Sequence, residues 1–322
     1  MGSLTLGYDT DELLNLGLRE LLGARKNDAF SSSRFQQYRL TLKILLESPS
    51  SAVGLAIVIL YSAIAVIDFI YPSLIGVQNA YSMVPDFSNP VPTTPTWPTH
   101  PFGTTFPGID LYQAIMAAIR VDLWYSLLIV LTGAALGTLV GVLAGYAGGS
   151  LDEVLMRITD IFLSIPYLPF AIAVGFVLGR GIEDISLALA VVWWRQYARY
   201  ARGQALAVRE NAFIEAARAS GVGSLRIMLR HVVPNVLTPV FVQISLDLGT
   251  IVQVFASLTF IGFASANPLL PELGTLISDG FQYAVVAPWV VFFPGMAILI
   301  FAIAMNLVGD GLRDALDPRS RT

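Results

Sequence analysis

The chain has 322 residues, of which 55% are hydrophobic and only 13% are charged, and its formal net charge at pH 7 is −4. A soluble domain cannot hide that much apolar surface, so the composition predicts an all-α, polytopic integral membrane protein. Cysteine is absent, which excludes disulfides, thiol catalysis and cysteine-ligated metals.

Few residues are suited to catalysis or to nucleotide binding. The two histidines, His100 and His231, are far apart in sequence and fall on opposite expected faces of the membrane, so metal or triad chemistry is not expected. There is no GxxxxGK[ST] phosphate loop, and the only lysines are Lys26 and Lys43. We therefore predict no catalytic, metal or cofactor site and no nucleic-acid partner.

The N-terminal part of the chain alternates between polar and apolar segments. Residues 1–50 carry six basic and six acidic residues and are predicted to form a cytoplasmic amphipathic region near the membrane lipid. Residues 51–71 are the first predicted transmembrane helix. Asp68 lies near its outer end, where we expect the carboxylate to reach water.

Residues 72–111 are rich in proline and threonine and contain no lysine or arginine. Because basic residues concentrate on the cytoplasmic side, this segment is predicted to be an external loop and the N-terminus to be inside. Its prolines favour an extended, semi-rigid path.

The second predicted span, 123–146, has a regular series of glycines. They recur every fourth residue and so share one helix face, along which another helix is expected to pack closely; they are Gly133, Gly137, Gly141 and Gly145. The third span, 158–178, contains Pro166 and Pro169, which predict a kink or a broken helix.

Three further spans complete a predicted core domain over residues 112–309. The fourth begins near Ile185 and ends in Arg195, Arg199 and Arg202, which we expect to reach anionic lipid headgroups. The fifth and sixth cover 234–263 and 287–308, and a cytoplasmic tail, 310–322, follows. All basic residues except Arg120 and Arg180 fall on the predicted inner side, which supports six helices with both termini cytoplasmic.

A few polar residues stand inside predicted spans. Asp247 and Gln243 are candidates for lining a transport pathway, although hydrogen bonding to a neighbouring helix is an equally good interpretation of Asp247. Gln253 and Asn306 are expected to join helices by hydrogen bonds. The external segments are mildly acidic and could complement a basic partner; the acids are Asp86, Asp110, Glu183, Asp184, Glu272 and Asp279.

A polar island interrupts the apolar sequence at 215–235, and its pattern predicts two short helices that meet at a glycine. It begins Glu215-Ala216-Ala217, continues to Gly221 and ends at Val233-Pro234-Asn235. It resembles the EAA loop of the membrane subunits of ABC importers. Other segments are similar to the C-type subunit of the dipeptide/oligopeptide/nickel permease family: HPFGT at 100–104, AGYAGGSLDEVLMR at 144–157, APWVVFFPG at 287–295 and NLVGDGLRDALDP at 306–318.

The resemblance implies a type I ABC importer permease fold and a subunit without its own ATPase site. It implies a heterodimer with a homologous permease subunit, two ATPase subunits that bind ATP, and an extracytoplasmic substrate-binding protein. The EAA loop, 212–235, would couple to the ATPases, with the contact residues Glu215, Ala216, Ala217, Ser220, Gly221 and Arg226.

The expected substrate is a di- or oligopeptide, and an oligosaccharide or nickel remains an alternative within the same class. A secondary transporter that needs no ATPase is a further alternative. It would be expected to have paired intramembrane charges or an inverted repeat, whereas the sequence indicates isolated acids and no evident repeat.

Overall fold

The chain folds into long apolar helices joined by short polar segments, because backbone groups inside a bilayer must find their hydrogen bonds within the segment. A computed structural model describes residues 41–75, 91–179, 181–263 and 271–316. Most of the predicted N-terminal region, the 76–90 part of the external loop and the end of the tail lie outside these residues.

The helices and strands follow in a simple order. They are α1 (Pro49–Ile70), a 3₁₀ turn (Pro72–Ile75), β1 (Thr104–Thr105), β2 (Ile109–Asp110), α2 (Leu111–Ala147), α3 (Gly149–Ser164), α4 (Tyr167–Leu178), α5 (Ile182–Arg209), α6 (Ala212–Ala219), α7 (Ser224–Ile227), a π turn (Met228–Val232), α8 (Val233–Phe260), α9 (Leu273–Phe281) and α10 (Trp289–Leu316). The two short strands pair antiparallel just before α2.

The described residues contain four or five apolar spans. Helices α1, α2 and α10 and the helical stretch Ser224–Phe260 are each long and apolar enough to cross a membrane. Helices α3 and α4 pass the same test only as a pair, bent by 91° at the break before Tyr167. The break predicted from Pro166 is thus present. Helix α5, which corresponds to the predicted fourth span, has 28 residues but is too polar to be counted, so the predicted total of six spans is not confirmed.

Two apolar clusters hold the described helices together. The larger one is built from α2, α5 and α8, with Ile129, Leu189 and Phe255 fully or almost fully buried. The second joins α1, α2, α9 and α10 around Phe301, whose ring lies 5.4 Å from that of Tyr61. Helix α8 also contributes to the second cluster, through Val252, and is therefore, with α2, a central helix of the protomer.

The glycine face of α2 packs directly on α5. A Cβ atom on Gly133 would lie 3.0 Å from the Cβ of Trp193, and one on Gly145 would lie 2.7 Å from the carbonyl oxygen of Arg202. At Gly137 and Gly141 an added Cβ would overlap backbone carbonyl oxygens of α5. The two backbones approach so closely that only glycine fits between them.

An ion pair joins α1 to α2 in the interior. Arg120 Nε lies 3.1 Å from the carboxylate of Asp68, and the Asp68 side chain is completely buried. The expectation that Asp68 reaches water is therefore wrong, as is the expectation that intramembrane charges are isolated. Helix α2 covers this face of α1 and brings a guanidinium opposite the acid, which is the usual condition for burying a charge.

We expect that Gly137→Ala destabilises the protein. The new methyl group must push α5 away from α2, and overpacking of this kind costs about 1–3 kcal/mol. Thermal unfolding of the purified protein in detergent should show a lower Tm. Gly203→Ala on α5 is the matched control, because nothing lies within 4 Å of its added Cβ. Its Tm should stay the same or rise slightly, since alanine favours helix more than glycine does. Equal Tm values for the two variants would contradict the packing role.

Candidate functional site

The EAA loop forms a short helical projection that is exposed to solvent. Helix α6 carries Glu215 and Ala216 on its exposed side, and Ser220, Gly221 and Arg226 are exposed as well. Ala217 is half-buried. The structure therefore leaves five of the six predicted coupling residues accessible to another molecule.

The bend after α6 is a Schellman motif, a helix end in which two backbone hydrogen bonds close around a left-handed residue. Val222 N–H donates to the carbonyl of Ala217 at 3.1 Å, and Gly221 N–H donates to that of Arg218 at 3.0 Å. Gly221 has a φ of 77°, a conformation that side-chain-bearing residues adopt at a cost. The predicted glycine bend is thus a specific helix cap.

Buried side chains anchor the projection to the transmembrane helices. Ile214 on α6 and Ile227 on α7 are fully buried in the larger apolar cluster, together with Val232 of the π turn. Because these anchors lie on both sides of the bend, the loop cannot swing freely and instead moves with the core.

No break separates the second half of the loop from α8. The helical stretch runs from Ser224 to Phe260 through a π turn that ends just before Val233. The sequence suggested a new helix starting at Pro234, but the wider π turn accommodates this proline, which has no N–H to donate. A displacement of the loop is therefore passed directly to α8.

Two arginines make contacts at the end of α2, one from the end of α5 and one from the EAA loop. Arg209 Nη1 lies 3.3 Å from the carbonyl oxygen of Gly145 and 3.4 Å from that of Tyr146. The guanidinium of Arg218 stacks over the Tyr146 ring at 5.4 Å. An open pocket of about 580 Å³ lies between these groups and is bordered by Ser224, Leu225 and Met228.

The arginine series of α5 makes contacts with α3. Arg202 makes a two-pronged ion pair with Asp152 of α3, at 2.5 and 2.7 Å. Arg195 is buried and donates to the carbonyl of Phe162 at 3.3 Å. The expectation that these arginines reach lipid headgroups is thus wrong for the buried Arg195. Arg199 and Arg202 pair with Asp160 and Asp152 of α3, and for them the contact with lipid stays a prediction.

The two pathway candidates on α8 occupy different positions. Asp247 is buried and accepts hydrogen bonds from Trp193 Nε1 of α5, at 3.1 Å, and from Gln243 Nε2 of its own helix, at 2.9 Å. Gln243 is half-buried at the surface of the protomer. The structure therefore favours the hydrogen-bonding interpretation for Asp247, and its pathway role stays a prediction.

Two predicted interhelical hydrogen bonds are not formed between the described helices. The side-chain amide of Gln253 donates to the carbonyl of Gly249 and that of Asn306 to the carbonyl of Ala302, both one turn earlier on the same helix. The side chain of Gln253 is exposed, so it does not join helices within this protomer.

On the other side of the protomer, two external acids have partners that their sequence positions did not indicate. Asp110 caps α2 by accepting from Gln113 N–H, and it also contacts His100 Nδ1 at 2.6 Å. Glu272 is only 1% exposed, beside Asp122 of α2, which accepts a hydrogen bond from Leu273 N–H. Glu272 therefore cannot contribute to an acidic outer surface.

The chain matches the family model described as "Binding-protein-dependent transport system inner membrane component" over residues 137–322. The chain belongs to this family. It is the membrane-spanning permease subunit of a binding-protein-dependent ABC importer and a multi-pass protein of the plasma membrane. In such importers ATP hydrolysis belongs to separate subunits, so this permease is not itself the enzyme.

Curated relatives cover most of the permease. The dipeptide transport system permease protein DppC of Alkalihalophilus pseudofirmus is 34% identical over 88% of this chain and 91% of its own length. The probable D,D-dipeptide transport system permease protein DdpC of Escherichia coli K12 is 38% identical over 69% of this chain and 74% of its own. The glutathione transport system permease protein GsiD of Pectobacterium atrosepticum is 36% identical over 69% of this chain and 74% of its own length.

A solved structure supports the fold. The permease is similar to a chain of the inward-facing MetNI methionine ABC transporter, with a TM-score of 0.51 and 21% identity over 63% of this chain and 97% of that one. The type I importer permease fold is thus confirmed.

We expect a pH dependence that reports on Glu272. Burial raises the pKa of its carboxyl to about 7, although a hydrogen bond from Thr275 offsets part of this rise, and Asp122 and Asp279 are the nearest acids. The pKa of Glu272 is higher in the folded than in the unfolded protein. Its contribution to the free energy of unfolding is therefore fully present below about pH 4.5 and is lost as the pH rises through 7.

The variant Glu272→Gln removes the ionisation and should therefore have a higher Tm than the native protein at pH 8, with the difference vanishing near pH 5. The exposed Glu153→Gln serves as the control and should show no such crossover. A Glu272→Gln protein that is equally destabilised at both pH values would contradict the prediction.

Proposed function

We propose that the permease imports short peptides and that its EAA loop receives the motion of two ATPase subunits. The permease would pair with a homologous permease subunit, each forming half of the translocation pathway, and an extracytoplasmic binding protein would deliver the solute. ATP would be bound only by the partner ATPases, which is in keeping with the absence of a phosphate loop in this chain.

The observation that carries the coupling role is the continuity between the EAA loop and α8. The exposed face of α6 offers Ala216, whose small side chain allows another surface to approach the backbone. Ile214 and Ile227 hold the loop to the core on both sides of Gly221. A push on this face would therefore move α8 as a rigid body and would not be absorbed by a hinge.

The charge distribution suits a docking surface for a partner. Glu215 and Arg226 are exposed and lie on opposite sides of the bend. We propose that these two residues make salt bridges or helix-cap contacts with the ATPase, whereas Gly221 and Ser220 shape the turn. Ser220 donates to the carbonyl of Ala216 at 2.8 Å and so stabilises the last turn of α6.

The proposed substrate rests on the similarity to the three permeases described above. They transport dipeptides, D,D-dipeptides and glutathione, which share peptide bonds and a free carboxylate. None of the described residues forms a group of three or more histidine, cysteine or acidic side chains that could hold a metal ion, which gives no support to nickel as the cargo within this subunit.

The coupling role predicts that Ala216→Trp prevents productive docking. The side chain points to solvent, so tryptophan should leave the fold and the Tm unchanged while it blocks close approach of the ATPase. Copurification of the ATPase with the permease should fall at least tenfold, and solute-stimulated ATP hydrolysis should be lost. Ala135→Trp, at an exposed position in the middle of α2, is the matched control. Unchanged copurification and hydrolysis in both Ala216→Trp and Glu215→Lys would refute the assignment.

The substrate class predicts which solutes stimulate the assembled transporter. In proteoliposomes that contain both permeases, the ATPases and the cognate binding protein, a mixture of dipeptides should raise ATP hydrolysis severalfold over its basal rate. Nickel ions and an oligosaccharide mixture are the controls and should leave the rate at its basal value. If either control stimulates hydrolysis and dipeptides do not, the proposed substrate is wrong, whereas the proposed coupling mechanism still stands.

A further inference from the structure

The exposed side of α8 is polar, although the helix crosses the apolar layer. From Gln243 to Phe260, four residues of α8 are exposed to solvent, and three of them are polar: Thr250, Gln253 and Ser257. The half-buried Gln243 precedes them by seven residues. The intervals of seven, three and four residues place all four on one side of the helix, and we call this row the α8 polar stripe.

The stripe differs from the exposed side of α1. Between Val53 and Ile70, eight residues of α1 are exposed, and only Ser62 among them is polar. The others include Ile59, Leu60 and Phe69, each more than half exposed. The α1 surface is suited to hydrocarbon, whereas the α8 stripe is polar and could face either lipid or water.

Gln253 decides between a lipid-facing and a water-facing stripe. Serine and threonine can tolerate lipid when their hydroxyls bond to a carbonyl one turn earlier, and Thr250 and Ser257 make such bonds at 3.3 and 2.7 Å. A glutamine amide has two N–H donors and an acceptor oxygen. Gln253 makes one bond of this kind, to the carbonyl of Gly249 at 3.1 Å. Its second N–H and its amide oxygen would have no partner in hydrocarbon, which costs free energy.

The stripe is long enough to form a wall through much of the bilayer. From Gln243 to Ser257 the helix advances about 21 Å, given a rise of 1.5 Å per residue. The apolar layer is about 30 Å thick. At its inner end the stripe is fixed in place, because Gln243 donates to the buried Asp247, which in turn accepts from Trp193 of α5.

We propose that the α8 polar stripe lines a hydrated path along which a short peptide passes between this permease and its partner subunit. The stripe offers neutral hydrogen-bonding groups to the peptide backbone, and none of the exposed residues of α8 between 243 and 260 is charged. It would therefore accept peptides whatever the charge of their side chains. This inference rests on the proposed function for the identity of the solute.

The stripe also lies on the helical stretch that begins in the EAA loop. Residues 224 to 260 are continuous, so a displacement of the loop by the ATPase would move the stripe with respect to the partner subunit. The water accessibility of the stripe should therefore depend on the nucleotide state of the assembled transporter.

Single cysteines can test this directly, because the natural chain contains none. We would prepare Gln253→Cys and Ser257→Cys in the complete transporter in proteoliposomes and treat it with a charged, water-soluble methanethiosulfonate. Ile59→Cys on the exposed side of α1 and Ile251→Cys, at a fully buried position, are the matched controls. Modification of this subunit is read from its mass.

The two stripe cysteines should react at least tenfold faster than both controls, because a thiol reacts as the thiolate, which forms in water and not in hydrocarbon. Their rates should also change severalfold when a non-hydrolysable ATP analogue is added with the dipeptide-loaded binding protein. Equal slow reaction of the Gln253→Cys and Ile59→Cys proteins in every nucleotide state would overturn the inference, whether the stripe then faces lipid or packs dry against the partner subunit.

The cysteine experiment can fail without the proposed function failing, and the reverse also holds. Dipeptide-stimulated hydrolysis with unreactive stripe cysteines would refute the path and leave the importer assignment standing. Reactive stripe cysteines whose rates change with a loaded binding protein, but in response to a different solute class, would retain the path and replace the substrate.

Discussion

The close contact between α2 and α5 is the constraint on which the rest of the protomer depends. Four glycines spaced four residues apart bring the two backbones together over three turns. Since no side chain can be inserted between them, α2 and α5 act as one unit. This unit sets where the ends of both helices lie. Arg209 at the end of α5 bonds to the end of α2, where Tyr146 stacks against Arg218 of the EAA loop, and Arg202 of α5 holds α3.

The polar interior of the protomer follows from the same packing. Once α2 is fixed, Arg120 faces the buried Asp68 of α1, and the buried Asp122 faces the start of α9. Buried charges contribute little net stability compared with well-packed apolar residues, but breaking one pair is expensive. These groups therefore fix the positions of α1 and α9 on α2 more than they add to the free energy of unfolding.

Much of the architecture could be predicted from local patterns. The apolar runs located the spans that the structure contains, although the predicted fourth one, α5, is too polar to be counted. The glycine spacing predicted a close helix contact, and Pro166 predicted the break between α3 and α4. The family resemblance located the EAA loop, which the comparisons support through the family itself. Each of these signals is carried by residues close together in sequence, so it can be recognised without knowledge of the tertiary structure.

The features that were missed depend on which distant segments meet. Asp68 and Arg120 are separated by 52 positions, and nothing local indicated that one would neutralise the other. Both stand in otherwise apolar helices, and that shared property could have suggested a pair. Likewise, Glu272 was assigned to the outer surface because it lies in a segment without lysine or arginine, but it is buried between α2 and α9. The continuity of α7 and α8 depends on a π turn, for which the sequence contains only the indirect signal of Pro234.

The arrangement separates two tasks along a single helix. At its cytoplasmic end, the stretch from Ser224 to Phe260 is held by buried isoleucine and valine side chains, which transmit force because a packed core does not yield gradually. Further along, the same helix exposes neutral polar groups that can bind a solute only weakly and release it readily. Strong, selective binding at the stripe would trap the solute inside the membrane, so selectivity is better placed in the binding protein. A rigid connection and a weakly binding surface on one helix are thus the physical requirements of a subunit that moves its cargo without recognising it in detail.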